Sequence, residues 1–493
     1  MGIIKRQAYS GTILTYLGVI IGFVTTALIF PKYLTTAQIG LLTILTSYAY
    51  IFAQFATLGT GRVTVVVFPF FRDRRSHHSG FFTLVGLVSL AGILLALLAL
   101  ALMKGWLVSN ANDKSPLFGQ YFFYLYPLII FSAVFLVMDT FNTTLLNAVR
   151  GIFLKEFLQR ILIFLAILPF AFAWIDYSRL VFFYTLAIII PVLVLVYFVM
   201  RNPEFTFRAR PSPRLKEKSR LMTSLAVNGI FIGFSGMVIL NIDRIMVERF
   251  MGLGSTGIYA TMAYFATLVA IPSRSLLKIS DPIIAQAWKE NDTRKISDIY
   301  HRSSLNQFLI GCLLLAGIWG NIDNILRILP PEYADGKLVI LCIGLAFLAD
   351  MVTGTATFIL ANSRIYQYQT YYIFALVILI IITNYLLIPV WGLAGAAFAT
   401  LLSKILTNLA RFLILYFKFG FQPYNARFLL IAVITAITYL AQYFIPTLNN
   451  LYADIILRSA VMSIVFLTIT ISLRISPEVN DRLIAFSKYL FRK

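Results

Sequence analysis

Apolar runs of about 20 residues alternate with short, mostly basic connections along the whole chain. The run from Gly11 to Phe30 carries no charge at all. With a rise of about 1.5 Å per residue, a helix of about 20 residues crosses a hydrocarbon layer about 30 Å thick. The pattern therefore predicts an all-α polytopic membrane protein with about fourteen transmembrane helices, near 11–30, 38–59, 81–102, 121–145, 158–175, 179–200, 221–242, 256–276, 305–326, 338–361, 371–390, 392–417, 427–446 and 456–473. The first run is followed by Pro31 without a small-residue cleavage site, and reads as a retained span.

Composition agrees: of 493 residues 60% are hydrophobic and 12% charged, against about 25% charged in soluble domains. No hydrophilic stretch reaches 40 residues, so no soluble domain fits between the spans. The net charge of +21 is distributed as a topology signal and not as a nucleic-acid surface. Of the 41 Lys and Arg, 30 fall on the side of the two chain ends, nine opposite and two inside a span. A basic excess marks the cytoplasm, so both termini are expected there. Cys312 and Cys342 both fall in predicted spans and read as small apolar core residues.

The longest basic connection, Arg201 to Arg220, holds seven Lys or Arg and the run RPSPR; it reads as a cytoplasmic linker, 201–220. Its two flanks look alike. At an offset of 217, Gly40 falls on Gly257, and Phe71-Arg72-Asp73 falls on Trp288-Lys289-Glu290. Asp139 precedes Arg150 much as Asp350 precedes Arg364. Six spans lie before the linker, so both halves enter from the same side and form a parallel repeat about an axis normal to the membrane. The expected organisation is a six-helix lobe over 1–200, a second over 221–417, an unduplicated helix pair over 418–475, and an amphipathic cytoplasmic tail over 476–493.

Enzyme motifs are lacking: there is no GxxxxGK[ST], HExxH, CxxC or GxSxG, and no cofactor or metal is expected. His77 and His78, in the connection RDRRSHHSG, read as a solvated face. Acidic residues in the connections opposite the chain ends are scattered, which argues against a glycosyltransferase or polymerase. Charges within spans are costly and mark cavities or internal pairs. Lys404, Asn408 and Arg411 recur at helical spacing on the twelfth span as one polar stripe suited to a pyrophosphate. Asp350 is mid-span and either pairs with Lys404 or titrates alone. Asp139, with Asn142, Thr143, Thr144 and Asn147, ends the fourth span; Asp139 and Asp350 are the candidate coupling carboxylates for H+ or Na+. Arg62 ends the second span and Arg160 opens the fifth, as cavity or snorkelling residues; Asp243-Arg244 closes the seventh.

The run IDRIMVERFMGLGSTGIYATMAYFATL from Ile242 resembles the seventh-to-eighth span region of the Wzx-type polysaccharide flippases, in the multidrug/oligosaccharidyl-lipid/polysaccharide (MOP) exporter superfamily. Three more runs carry the resemblance: TTAQIGLLTILTSYAYIFAQFATLGTGR from Thr35, ILPPEYADGKLVILCIGLAFLADMVTGTATFILANS from Ile328, and IPVWGLAGAAFATLLSKILTNLARFLI from Ile388. The resemblance implies two six-helix lobes around a cationic cavity, alternating access, and movement of a polyprenyl-pyrophosphate-linked oligosaccharide to the outer leaflet. The implied partners are that lipid-linked oligosaccharide, membrane lipids, a coupling H+ or Na+ and polysaccharide polymerase or assembly proteins, with no nucleic acid. The lipid II flippase branch also has fourteen spans, but its run of cavity arginines in the first spans is represented here by Arg62 alone. Drug exporters of the superfamily usually have twelve spans. A cation-coupled multidrug exporter and a lipid II flippase remain the alternatives.

Overall fold

The computed structural model describes residues 2–74, 76–109, 114–145, 147–206 and 213–476. All regular structure among them is helical. The predicted tail over 476–493 and the centre of the 201–220 linker lie, almost entirely and in large part respectively, outside the described residues. Eleven helices of the described residues are long and apolar enough to cross a membrane. The chain packs as two compact units, Met1–Thr261 and Met262–Lys493.

The first unit contains α1 (Gly2–Phe23), α2 (Thr36–Ala56), α3 (Thr60–Phe71), α4 (Phe81–Ser109), α5 (Leu125–Thr144), α6 (Gln159–Ala171), α7 (Tyr177–Met200), α8 (Ser219–Met251) and the start of α9 (Leu253–Thr267). α2 begins with a capping box: the Gln38 N–H donates to Thr35 Oγ1 at 3.3 Å, and the Thr35 N–H to Gln38 Oε1 at 3.0 Å. Its apolar face then buries Leu41, Ile44 and Leu45 against Leu125, Leu128 and Ile129 of α5. A second cluster joins Phe68, Phe82 and Phe141, whose rings meet at 4.9 Å between Phe68 and Phe82 and again between Phe82 and Phe141.

Within this unit α2 and α9 cross at van der Waals contact through small residues. A side chain at Gly257 would place its Cβ in the Thr36 carbonyl and 3.1 Å from Gly40 N; one at Gly40 would meet the Leu253 carbonyl. The two contacts are reciprocal. Gly40 and Gly257 are related by the repeat offset of 217, and so are Thr36 and Leu253.

The second unit contains α10 (Ile271–Lys289), α11 (Thr293–Gly320), α12 (Ile322–Ile328), α13 (Lys337–Val352), α14 (Gln367–Phe419), α15 (Ala426–Ala441) and α16 (Leu451–Ser472). α14 covers the predicted eleventh and twelfth spans without a connecting loop. Its chain reverses at Gly392, whose φ of 58° and ψ of −132° suit glycine alone, three residues after Pro389. The two halves then lie against each other, with Thr383 Oγ1 at 3.1 Å from Ser403 Oγ.

Other predicted boundaries shift for physical reasons. The seventh span does not close at Asp243-Arg244: α8 runs on to Met251, since no glycine or proline interrupts it before Gly252 at φ 88°. The fifth span starts earlier, as helix from Ala148 passes through a π-helical stretch, Phe153–Leu158, into α6. The tenth is broken between Val352 and Ala356. His78 is not solvated. It is buried between Phe68 and Phe82, and its Nε2 lies 2.7 Å from the Glu204 carbonyl oxygen. With the Arg72–Glu204 ion pair at 2.9 Å, this ties the connection after α3 to the segment after α7.

Candidate functional site

The stripe predicted on the twelfth span lies on the second half of α14, and α13 supplies its partner. Lys404 Nζ donates to Asp350 Oδ2, and Asn408 Nδ2 donates to Asp350 Oδ1 at 2.8 Å. Arg411 Nη1 donates to Asn408 Oδ1 at 3.1 Å. The four side chains thus form one chain of hydrogen bonds, one carboxylate serving two donors. Positions 404, 408 and 411 share a face because they are spaced by one helical turn.

The two cations of this network differ in access. The side chains of Lys404 and Asp350 keep 20% and 37% of their exposure, so the pair is open to whatever fills the space beside it. Arg411 is 6% exposed, and its guanidinium lies 4.0 Å from the Tyr372 ring centroid on the other half of α14. Of the two readings of Asp350, the ion pair with Lys404 is the one present in this conformation. Lys404 is thus the more accessible cation of the network, and Arg411, stacked on Tyr372, the less accessible one.

The first-unit candidates do not form a comparable group. Arg160 donates from Nη1 to the Gly18 carbonyl at 2.8 Å and from Nη2 to Glu156 Oε2 at 2.6 Å, so it fastens the fifth span to α1. Arg62 is exposed near the start of α3 and has no partner among the described residues. Asp139 faces Gly151 so closely that a Cβ there would overlap the carboxyl, and its Oδ1 is buried without a hydrogen-bond partner among the described residues.

Lys155 escaped the sequence reading. It lies in the π-helical stretch, its Nζ 5.3 Å from the ring centroids of both Tyr50 and Phe135. The signal was present in KEFLQR: Glu156 and Arg160 are one turn apart, which argues that the helix already runs through Lys155. Asp454 and Arg458 of α16, paired at 2.6 Å with side chains 2% and 12% exposed, were likewise missed as a buried pair. No group of three or more metal-type ligands occurs among the described residues.

No family model matches the chain. The capsular polysaccharide biosynthesis protein CapF of Staphylococcus aureus is 26% identical over 175 residues, 34% of this chain. The chain spans 43% of the length of that curated relative. Among solved structures, the lipid II flippase MurJ in an inward closed conformation is similar with a TM-score of 0.72 at 13% identity, over 94% of this chain and 98% of that one. An inward-facing multidrug resistance MATE family transporter of the MOP superfamily gives 0.64 at 12% identity, over 88% and 96%. The multidrug transporter DinF-BH, in complex with R6G, gives 0.55 at 14%, over 84% and 95%. At these identities the likeness establishes architecture. The chain is a multi-pass membrane protein that shares the fold of these solved transporters.

Proposed function

We propose that this protein is a flippase that moves a polyprenyl-pyrophosphate-linked oligosaccharide from the inner to the outer leaflet of a bacterial cytoplasmic membrane, for surface polysaccharide synthesis. The observation that carries the proposal is the Asp350–Lys404–Asn408–Arg411 network. It places two cations and one carboxylate within membrane-spanning helices, where unpaired charge costs several kcal/mol and is retained for function. Similarity to a protein of capsular polysaccharide biosynthesis favours a glycan-bearing cargo.

In this mechanism Lys404 exchanges its bond to Asp350 for the pyrophosphate of the cargo, and Arg411 adds charge behind it. Asp350, released, takes up a proton or sodium ion; Asp139 is the matching carboxylate of the first half. The two six-helix lobes, 1–200 and 221–417, rock about the repeat axis. The reciprocal Gly40/Gly257 contact supports such an axis, since a two-fold operation sends each contact into the other. With both termini cytoplasmic, this contact lies toward the outer face and closes it.

The test is translocation in proteoliposomes, with a fluorescent polyprenyl-pyrophosphate oligosaccharide, lipid II and a cationic dye offered separately. The expected result is movement of the oligosaccharide lipid, lost in Lys404→Ala and retained in Lys404→Arg. Movement of the dye alone would place the protein with drug exporters, and movement of lipid II alone with peptidoglycan synthesis.

A further inference from the structure

At one end of the second unit, α11, α12, α15 and α16, with Lys337 at the start of α13 and the segment after α15, line a cavity of about 360 Å³. This lies within the range of small-molecule sites, about 300–1,000 Å³. It is separate from the Lys404 network: none of its lining residues belongs to α14. Two of its four walls come from the helix pair that the repeat does not duplicate.

The floor of the cavity is cross-linked by hydrogen bonds. Asp454 accepts from Arg458 Nε at 2.6 Å, from the Leu448 N–H at 2.9 Å and from Asn324 Nδ2, which joins α12 to α16. Asn450 caps α16, accepting from the N–H groups of Tyr452 and Ala453 at 3.1 and 3.2 Å. The walls are aromatic. Trp319, with Lys337 Nζ 5.8 Å from its ring centroid, lines it together with Tyr439 and Tyr443, which meet edge to face at 6.1 Å. At the rim Lys337 pairs with Asp323 at 3.0 Å, while Arg327 is exposed and has no partner among the described residues. The lining carries two carboxylates against three cations, a surplus of one positive charge. Around it the outer surface of the pair is apolar, with Leu429, Val433, Ile437 and Ile456 exposed.

Flat aromatic faces beside fixed donors and acceptors suit a pyranose, whose C–H face stacks on a ring while its hydroxyls bond the polar groups. The free guanidinium suits a carboxylate. A bare phosphate would leave the aromatic walls unused. We infer that this cavity binds a carboxylate-bearing sugar unit of the glycan, holding it at the outer end of the appended helix pair. Identifying the ligand as part of the cargo, and this end as the outer one, rests on the flippase reading. The cavity and its chemistry do not.

The experiment uses the full chain in nanodiscs and titrates glucuronic acid, glucose and inorganic phosphate, followed by saturation-transfer NMR. Glucuronic acid is expected to bind at least tenfold more tightly than glucose. Arg327→Ala, with an unchanged melting temperature, is expected to erase that preference while leaving glucose binding intact. Tyr443→Ala is expected to weaken both sugars. Absence of sugar binding, phosphate binding as tight as glucuronic acid, or sugar binding indifferent to both substitutions overturns the inference. Translocation assayed on the same preparations separates the two ideas. Flipping without sugar binding removes the cavity assignment alone, and sugar binding without flipping removes the flippase alone.

Discussion

Replacing Gly257 by alanine inserts one methyl group where the α2–α9 crossing has no room. The added Cβ falls on the Thr36 carbonyl, a backbone atom that cannot rotate away, and 3.1 Å from Gly40 N. Relief requires the two helices to separate, which forfeits packing along the crossing. Overpacking typically costs about 1–3 kcal/mol, and a backbone obstacle puts this case near about 3. Applied to a two-state gate, that is a shift of about 150-fold. Because the contact is reciprocal, Gly40→Ala is expected to cost as much as Gly257→Ala. Gly86→Ala and Gly317→Ala, where a new Cβ meets nothing within 4 Å, are the controls. The assay is labelling of Thr256→Cys, a position 0% exposed beside the crossing, with an impermeant maleimide in a chain whose Cys312 and Cys342 are alanine, together with thermal melting. Both glycine variants are expected to label at least tenfold faster, or to melt lower, by matching amounts. If they label and melt like the two controls, or if only one of them changes, the reciprocal crossing is wrong.

Asp454→Asn leaves Arg458 as an uncompensated buried charge, so it is expected to destabilise by about 3–5 kcal/mol in a melting experiment. Asp176→Asn, at an ion pair whose side chains are 66–70% exposed, is the control and should cost about 0–1 kcal/mol. At the half-open Lys404–Asp350 pair, Asp350→Asn and Lys404→Met are each expected to lower stability. A double-mutant cycle should return a coupling of about 0.5–3 kcal/mol, and zero coupling would contradict the pair. Gly151→Ala drives a methyl into the Asp139 carboxyl, and Asp139→Ala in the same chain should recover the lost melting temperature. Failure of that rescue would show that the α5 contact is not the obstacle.

Much of the fold was legible in the order of residues because its signals are local. A run of about 20 apolar residues has few uses other than crossing a bilayer, where each backbone polar group must be satisfied within its own helix. The matching of Gly40 with Gly257, and the 404–408–411 stripe, are also properties of spacing alone. What spacing does not contain is the partner of each charge. Asp350 meets Lys404 across 54 positions, Arg160 meets the Gly18 carbonyl across 142, and Asn324 meets Asp454 across 130. Those meetings decided which partner each charge holds: the Gly18 carbonyl and Glu156 for Arg160, and Asp350 for Lys404. His78 shows the same limit: a polar residue in a basic connection reads as solvated, yet the Phe68 and Phe82 rings and a distant carbonyl bury it. The sequence by itself determined the membrane and the existence of charges inside it, since hydrophobic periodicity and cost are set residue by residue. The tertiary structure alone decided the pairing of those charges, the reciprocal glycine contact and the cavity under the appended helices, since each needs atoms that only packing brings within a few ångströms.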